Sequence, residues 1–289
     1  MKIYLNGKLV DRKDARVSVF DHGLLYGDGV FEGIRAYQGR VFKLREHVDR
    51  LYDSAKAIAL EIGMEREEIV QAVVRTCKAN RIRNGYIRLV VTRGEGTLGL
   101  NPYLCRKAQV IIIAAKIQLY PKELYETGLK VITAGTTRNL QEALNPRIKS
   151  LNYLNNVLAK IEAINAGTME CIMLNAQGFV AEASGDNIFT VRDGVLSTPP
   201  SWCGSLEGVT RNCVIELARE DGFTVRESVL SRYDLYTADE VFLTGTAAEL
   251  IGIVEIDRRA IGDGEPGPVT LKLNDRFRDY AARTGEPIP

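Results

Sequence analysis

Residues 148–156 read IKSLNYLNN. An amphipathic pattern begins within this stretch, and the interpretation of the whole chain depends on it. Apolar residues from Leu151 to Ile161 recur at helical spacing, so the pattern predicts a helix that starts close to Lys149. Tyr153 follows Lys149 by four residues, which predicts that the two side chains share one face of that helix. A lysine and a phenol are thereby candidate partners in one site.

Upstream of this stretch, hairpins alternate with helices. Asn6-Gly7 and Gln38-Gly39 are favoured two-residue turns between short apolar runs, so each predicts a hairpin. Two amphipathic helices and two strands are predicted next, at 44–60, 65–81, 86–92 and 109–115. The pattern then weakens over 119–127, which contains Pro121 and is typical of a linker between domains.

Downstream of the linker, helices and strands alternate again. Predicted strands lie at 129–133, 171–175, 187–191, 195–197 and 240–244, and predicted helices at 210–221 and 269–283. The sequence therefore predicts a fold of mixed α and β structure in two domains. These are a small N-terminal domain over 1–118 and a large C-terminal domain over 128–289, joined by the linker at 119–127.

Composition excludes several classes of function. The chain has 289 residues, 45% of them hydrophobic, and a net charge of +1, so no general field attracts nucleic acid or an anionic membrane. The N-terminus lacks the apolar core of a signal peptide, and the most apolar run, Val110–Ala115, is too short to span a bilayer. Five cysteines without a CxxC pair indicate reduced thiols, so we predict a cytoplasmic protein.

Histidine is scarce. Only His22 and His47 are present, which argues against a structural zinc site and against a histidine-based catalytic triad. We therefore predict no metal, and we expect proton transfer to depend on lysine, tyrosine or acidic residues.

Three further segments carry candidate residues, and each also has an ordinary explanation. Glu182, in FVAEASGDNIF, is either a surface carboxylate or an ion partner for a bound ring. Thr210, in LEGVTRNC, marks a helix start that either is a simple cap or binds an anion. Thr244–Glu249 offers a second hydroxyl-rich turn, and Arg50 is either a solvated helix residue or an anion ligand.

Taken together, these groups suit one cofactor. Pyridoxal phosphate (PLP) needs a lysine nucleophile, a phenol beside its ring hydroxyl, a carboxylate that keeps its ring nitrogen protonated, and a phosphate site. Lys149, Tyr153 and Glu182 supply the first three groups, and the helix start near Thr210 supplies the fourth.

The same residues lie in motifs of a known family. The chain resembles the class IV, fold type IV PLP aminotransferases (D-amino acid aminotransferase-like fold), and within them the branched-chain amino acid aminotransferases. The matching segments, from residue 21 to residue 249, are DHGLLYGDGVFEGIRAY, EHVDRLYDSAKA, YIRLVVTRG, IKSLNYLNN, EASGDNIF, LEGVTR and LYTADEVFLTGTAAE. Seven motifs in the right order are far more specific than any single one.

The resemblance implies a role for each candidate. Lys149 would carry the cofactor covalently and act as the catalytic base. The other cofactor-binding residues would be Arg50, Tyr153, Glu182, Leu206, Val209, Thr210 and Thr246. The substrate site would be lined by Tyr26, Phe31, Tyr86, Arg88, Leu100, Tyr120, Thr246 and Ala247. Leu100 would reach the site of a partner subunit, so the active unit would be a homodimer or a higher oligomer of dimers.

The implied reaction is amino transfer from leucine, isoleucine or valine to 2-oxoglutarate, with amino acids and 2-oxo acids as the small-molecule partners. Two rivals share the fold: a D-amino acid aminotransferase and an aminodeoxychorismate lyase. The D-specific pattern has an Arg-x-His pair where this chain has Tyr86-Ile87-Arg88, which favours the L-branched interpretation. A binding protein without activity is the rival of another class, but Lys149 and Glu182 are both present.

One position departs from the family pattern. The family usually has glycine directly after the glutamate, and this chain has Ala183. The additional methyl group is expected to crowd the backbone there or to shift Glu182, which affects substrate preference more than cofactor binding.

Overall fold

The computed structural model describes residues 1–116 and 120–289. Its helices, in chain order, are α1 (His22–Tyr26), α2 (Leu44–Ala57), α3 (Arg66–Ala79), α4 (Leu124–Thr127), α5 (Leu154–Asn165), α6 (Val209–Glu220), α7 (Arg232–Tyr236) and α8 (Pro268–Arg283). No helix of these ranges is both long enough and apolar enough to cross a lipid bilayer.

The strands, in chain order, are β1 (Lys2–Leu5), β2 (Lys8–Asp11), β3 (Gly29–Tyr37), β4 (Arg40–Val41), β5 (Gly85–Thr92), β6 (Gln109–Ala115), β7 (Leu129–Thr133), β8 (Glu170–Leu174), β9 (Val180–Ala183), β10 (Asn187–Arg192), β11 (Val195–Thr198), β12 (Thr224–Glu227), β13 (Glu240–Gly245), β14 (Glu249–Ile256), β15 (Arg259–Ala260) and β16 (Glu286–Pro287). The mixed α and β class is confirmed. Both hairpin turns are also confirmed, because Asn6 (φ 49°), Gly7 (φ 93°), Gln38 (φ 49°) and Gly39 (φ 83°) all adopt the left-handed conformation that such turns require.

The chain divides into two compact units. The first comprises Met1–Ile117, Ile148–Asn152 and Ala281–Pro289, and the second comprises Gln118–Arg147 and Tyr153–Tyr280. The predicted linker begins at residue 119, outside the described residues, and its described part includes α4. The linear boundaries at 118 and 128 stay a prediction, since the first unit also takes in two later segments of the chain.

The first unit is built on one antiparallel sheet. Its described strands follow the order β16-β4-β3-β5-β6-β1-β2. Strand β3 alternates, so that Val30, Ile34 and Ala36 enter the hydrophobic core with apolar residues of α2 and α3, such as Leu51 and Val73. Phe31 and Gly33, on the opposite face, pair in register with Val90 and Arg88 of β5.

Residues 148–152 lie along β3. Ser150 forms an isolated antiparallel bridge with Val30, and the amide of Leu151 donates to the carbonyl of Gly29 at 2.9 Å. Gly29 allows this approach, because a Cβ atom there would stand 2.7 Å from Leu151 Cδ1 and 2.5 Å from the carbonyl oxygen of Val91.

The second unit is built on a larger mixed sheet. Its described strands follow the order β12-β11-β10-β13-β14-β7-β8-β9, and β15 pairs with β14. The pairs β11–β12, β14–β7 and β7–β8 are parallel, and the others are antiparallel. The core is apolar, with Ile172, Ile188 and Leu243 among its fully buried residues.

The helix predicted after Lys149 is confirmed as α5, but the prediction that Lys149 and Tyr153 share one of its faces is wrong. Residues 148–152 are not helical, and α5 begins only at Leu154, with Tyr153 as its N-cap residue. Lys149 and Tyr153 therefore do not share a helix face. The larger apolar side chains of α5 lie outside the core, since Leu154 and Ile161 are exposed, whereas its small residues Ala159 and Ala163 are buried in a core cluster.

Candidate functional site

The main chain of Lys149 is held on both sides within the first unit. Its amide donates to Oγ of Ser54 on α2 at 3.1 Å, and its carbonyl accepts from the amide of Phe31 on β3 at 3.0 Å. The Nζ atom lies 4.6 Å from the centroid of the Phe31 ring. The structure therefore fixes the backbone from which the long lysine side chain extends.

Arg50 is oriented by a buried carboxylate. Glu32 of β3 is 0% exposed, and it accepts from Nε of Arg50 at 2.8 Å and from Nη2 at 2.7 Å. His47 Nδ1 lies 2.7 Å from the same carboxylate. Arg50 is thus not a solvated helix arginine, because a fork-shaped contact sets the plane of its guanidinium group.

These contacts shift the ionisation of the buried pair. Burial raises the pKa of Glu32, but the charges and hydrogen bonds of Arg50 and His47 outweigh that effect and bring the pKa to about 2. Burial lowers the pKa of His47 against the opposing pull of Glu32. Glu32 is therefore ionised at neutral pH and balances the charge of Arg50.

Aromatic and cationic side chains share one face of the first sheet. The Arg88 guanidinium lies 4.6 Å from the ring centroid of Phe31 and 5.4 Å from that of Tyr86. Within residues 1–116 and 120–289, no carboxylate lies within ion-pair distance of Arg88. Gly33 makes room for Tyr86, whose Oη would stand 2.0 Å from a Cβ atom at that position.

The loop between β5 and β6 is tied to α1. Tyr26 donates through its hydroxyl group to the carbonyl of Leu98, and His22 Nε2 lies 2.7 Å from the carbonyl of Thr97. The next residues expose apolar surface, and Leu100 is 77% exposed. The structure therefore places Tyr26 against the loop that carries Leu100.

Glu182 lies in the second unit on β9, and its carboxylate is surrounded by donors. Its Oε1 accepts from Nε of Arg138 at 3.0 Å, and Nη2 of Arg138 lies 2.9 Å away. Its Oε2 accepts from the amide of Leu206 at 2.9 Å and from Nδ2 of Asn187 at 3.3 Å. Glu182 is thus a buried, oriented carboxylate rather than a surface one.

Ala183, the departure from the family pattern, is fully buried in the core of this unit. Its amide donates to the carbonyl of Asp186 at 2.8 Å. The methyl group therefore packs as a core atom, while the Glu182 carboxylate keeps all the contacts described above.

Asn187 joins Glu182 to the start of α6. Its Nδ2 also donates to the carbonyl of Leu206 at 2.8 Å, and its Oδ1 would stand 2.0 Å from a Cβ atom on Gly208. Gly208 is the N-cap residue of α6 and supplies no side-chain cap, so the first-turn amides of Val209 and Thr210 receive no such partner. This uncapped helix start suits an anion.

Thr246 and Ala247 form the turn between β13 and β14 and are half-buried. Gly245, just before the turn, packs against Asp186, whose Oδ1 would stand 1.8 Å from a Cβ atom there. Tyr153 is half-buried at the start of α5. The second unit therefore contains Tyr153, Glu182, the α6 start and the Thr246 turn.

Tyr120 has polar partners that the sequence did not suggest. It is 2% exposed, and its hydroxyl group lies 3.4 Å from Glu170 Oε2 and 3.3 Å from Asp186 Oδ2. Burial and the proximity of Glu170 raise the pKa of Asp186 to about 7, and burial with both carboxylates raises the pKa of Tyr120. The predicted substrate contact of Tyr120 stays a prediction.

Sequence reasoning missed the residues that support the candidates. Glu32, Ser54 and Asn187 lie inside motifs that the sequence singled out, but nothing in their spacing indicates their partners. Arg138 lies 44 positions before Glu182 and in no motif. Among these residues, only Glu32 carried a signal in the sequence. It is a charged residue within a predicted strand, and a charge that becomes buried there needs a partner.

Comparisons with known proteins identify the family. The model of "Amino-transferase class IV" matches residues 29–256. A protein of Methanocaldococcus jannaschii is 54% identical over 285 residues, which cover 99% of this chain and 98% of that protein.

Two solved structures agree with this match. The branched-chain amino acid aminotransferase of Escherichia coli superposes with a TM-score of 0.95 at 38% identity and covers 99% of this chain and 96% of its own. The enzyme of the same kind from Thermobaculum terrenum, in its PLP form, has a TM-score of 0.89 at 34% identity and covers 97% and 94%. The chain therefore belongs to the class IV aminotransferases and has fold type IV, the fold of the branched-chain amino acid aminotransferases.

Proposed function

We propose that this protein transfers amino groups between branched-chain L-amino acids and 2-oxoglutarate, with PLP as its cofactor. Leucine, isoleucine or valine gives the branched 2-oxo acid, and 2-oxoglutarate gives L-glutamate. The family match and the near-complete likeness to named branched-chain enzymes support this reaction. The observation that carries the site assignment is the held backbone of Lys149, in the same unit as the oriented Arg50.

The residues present fit PLP. A guanidinium group oriented by Glu32 and a helix start without a side-chain cap suit a phosphate. A carboxylate surrounded by donors suits a protonated ring nitrogen. Bound PLP supplies an aldehyde that captures the substrate amine and a ring that delocalises the charge left when Cα loses its proton.

Lys149 and Tyr153 carry the proton chemistry in this proposal. The Lys149 amine would hold the cofactor, and in its free form it would accept the proton from Cα of the substrate. The Tyr153 hydroxyl group would bind the ring oxygen and orient the ring. The hydrogen bonds on both sides of the Lys149 backbone support this role, because they limit where the amine reaches.

Glu182 and the anion ligands are assigned to the ring nitrogen and to the phosphate of the cofactor, respectively. The Glu182 carboxylate would bind the ring nitrogen and keep it protonated. Leu206 would pack on the ring, and the phosphate ligands in this proposal are Arg50, the amides of Val209 and Thr210, and Thr246. The uncapped start of α6 and the fork between Glu32 and Arg50 support this assignment.

The substrate site must accept both apolar and acidic side chains. We assign Tyr26, Phe31 and Leu100 as apolar wall, and Arg88 as the ligand of the distal carboxylate of glutamate or 2-oxoglutarate. Tyr86, Tyr120 and the Thr246–Ala247 turn complete the proposed lining. The guanidinium group of Arg88 contacts rings rather than a structural carboxylate, which supports this assignment.

The cofactor assignment is tested by reduction with borohydride. The purified protein is reduced with PLP bound, digested and mapped by mass spectrometry, and the cofactor mass is expected on Lys149. Lys149→Ala is expected to fold, to carry no covalent cofactor and to lose turnover. Lys56→Ala, an exposed lysine of α2, is the control and should behave as wild type. A label on another lysine would refute the assignment.

The reaction is tested with a panel of L- and D-amino acids and 2-oxoglutarate. The expected result is 2-oxo acid production from L-leucine, L-isoleucine and L-valine, together with L-glutamate. A preference for D-amino acids would replace the branched-chain assignment with the D-specific one. Release of pyruvate without an amino acceptor would indicate the lyase.

We also propose a homodimer or a higher oligomer of dimers in the cytoplasm. The exposed apolar residues Leu98, Leu100 and Tyr103 in the loop between β5 and β6 support contact with a second copy. The five cysteines of the chain include no CxxC pair, which is consistent with a reducing compartment.

A further inference from the structure

We infer that Ser54 is a positioning residue for Lys149, an inference that rests on the proposed PLP function. Ser54 contacts neither substrate nor cofactor in this proposal. It acts through the backbone amide of Lys149, to which its Oγ atom is the acceptor at 3.1 Å.

The position of Ser54 in α2 needs an explanation. It is 3% exposed in the interior of a 14-residue helix, where serine is a poorer helix former than alanine because its hydroxyl group competes for backbone partners. A buried hydroxyl group is nearly always hydrogen-bonded. The amide of Lys149 is the partner that the structure assigns to it.

The contact fixes the backbone from which the flexible Lys149 side chain extends. Lys149 lies outside regular helix and strand, so its backbone gains no support from a regular ladder. The amide bond to Ser54 and the carbonyl bond from Phe31 hold the residue from two elements, α2 and β3. Several flexible side-chain bonds separate the amine from this backbone, so loss of one anchor widens the volume that the amine samples.

Ser54 lies on the same face of α2 as Arg50, the proposed phosphate ligand. His47, Arg50 and Ser54 are separated by three and four residues, so their side chains leave the same side of α2. His47 and Arg50 both bind Glu32, and Ser54 binds the backbone of Lys149. The proposed phosphate ligand Arg50 and the anchor of the reactive lysine therefore lie on one rigid helix, about 6 Å apart along its axis.

The test separates binding of the phosphate from formation of the covalent bond. Cofactor-free protein is mixed with pyridoxine 5'-phosphate, which has the phosphate but no aldehyde, and its Kd is measured. The same protein is mixed with PLP, and the rate and extent of bond formation with Lys149 are followed by absorbance and by borohydride trapping. In Ser54→Ala, the Kd for pyridoxine 5'-phosphate should stay within about twofold, whereas the rate of bond formation should fall about three- to tenfold, the loss expected for one hydrogen bond.

Two further variants make the result specific. Ser54→Cys keeps the volume but offers a weak acceptor, so its rate of bond formation should also fall. Thr76→Val is the matched control, since Thr76 is a buried residue of α3 whose hydroxyl group donates within its own helix, to the carbonyl of Ala72 at 2.7 Å. Thr76→Val should lose thermal stability without any change in bond formation. If Ser54→Ala does not fold, the cysteine variant carries the test.

Two outcomes would overturn the inference. One is a wild-type rate of bond formation in both Ser54 variants. The other is an equal loss of affinity for pyridoxine 5'-phosphate, which would mean that Ser54 supports the unit as a whole. If the wild-type protein forms no covalent bond with PLP, the proposed function itself is refuted. Failure of the inference about Ser54 is therefore distinguishable from failure of the proposed function.

Discussion

At the scale of single residues, the hydrogen-bond donors around Glu182 determine which substitution tests its proposed role at the ring nitrogen. Arg138, Leu206 and Asn187 all present N–H groups to this carboxylate. Glu182→Gln replaces one acceptor oxygen with a further donor, and it removes the charge that would hold a proton on the ring nitrogen.

We therefore expect Glu182→Gln to lower the single-turnover rate by about 100- to 1000-fold, in the range found when one oriented electrostatic contact is lost from an active site. Cofactor content, measured by absorbance after desalting, should change little because the phosphate ligands remain. Glu207→Gln, an exposed glutamate elsewhere in the second unit, is the control. An unchanged rate in Glu182→Gln would remove this residue from the catalytic site.

Glu32 makes a prediction about pH. Its pKa falls from the usual 4.5 to about 2, so the ionised carboxylate stabilises the folded protein fully above pH 4.5 and loses this effect as the pH falls through 2. The shift corresponds to about 3 kcal/mol. Glu32→Gln should therefore lower the free energy of unfolding by about that amount at pH 7, and the difference from wild type should shrink between pH 4.5 and pH 2.

Denaturant unfolding at a series of pH values measures this difference. Glu46→Gln is the matched control, because Glu46 is an exposed residue on α2, the helix that carries Arg50. A constant difference between Glu32→Gln and wild type across the pH series would contradict the assigned ionisation. Faster loss of PLP on dialysis is expected in Glu32→Gln as well, because Arg50 loses the carboxylate that orients it.

At the scale of elements, the start of α8 depends on a distant residue. Glu240, the first residue of β13, accepts from the amides of Val269 and Thr270 at 2.9 and 2.7 Å and from the Thr270 hydroxyl group at 2.7 Å. Gly267 leaves room for this carboxylate, which would stand about 2 Å from a Cβ atom there. The cap thus comes from 30 residues away, and no local capping residue is needed.

We expect Glu240→Ala to destabilise the protein by about 1–3 kcal/mol, because it removes a helix cap and leaves the amides of Val269 and Thr270 unpaired. The melting temperature, measured by calorimetry, should fall. Glu265→Ala is the control, since Glu265 is the last glutamate before α8 in the sequence and its side chain is exposed. Equal losses in the two variants would mean that the cap of α8 is local.

At the scale of the whole molecule, the exposed Leu100 leads to a test with mixed subunits. If Leu100 serves the site of the partner subunit, Leu100→Asp and Lys149→Ala are each impaired alone, but a mixed dimer contains one site with both native residues. Mixing equal amounts of the two variants, with subunit exchange, should then restore about a quarter of the wild-type activity for L-leucine.

Light scattering on the same samples gives the mass of the assembly, and Leu9→Asp, another exposed leucine of the first unit, is the control. An activity no higher than the average of the two separate variants would show that Leu100 acts within its own chain.

Local sequence determined most of the elements. The hairpin turns at Asn6-Gly7 and Gln38-Gly39, the strand at 109–115 and the strand at 129–133 were predicted correctly, because their turn residues and apolar alternation are local properties. The ordered motifs likewise determined the family and the fold class. The sequence also selected Lys149 and Glu182 as candidates, since lysine and carboxylate chemistry is fixed by residue type.

Tertiary structure alone determined how the candidates are held. The segment around Lys149 lies on β3 instead of forming a helix with Tyr153, because its amide and carbonyl groups pair with Ser54 and Phe31, which are far away in the chain. Glu32 with Arg50, and Arg138 with Glu182, are likewise pairs that only folding brings together. Spacing along a chain predicts contacts within one turn or one hairpin, whereas a buried charge takes its partner from whichever element packs beside it.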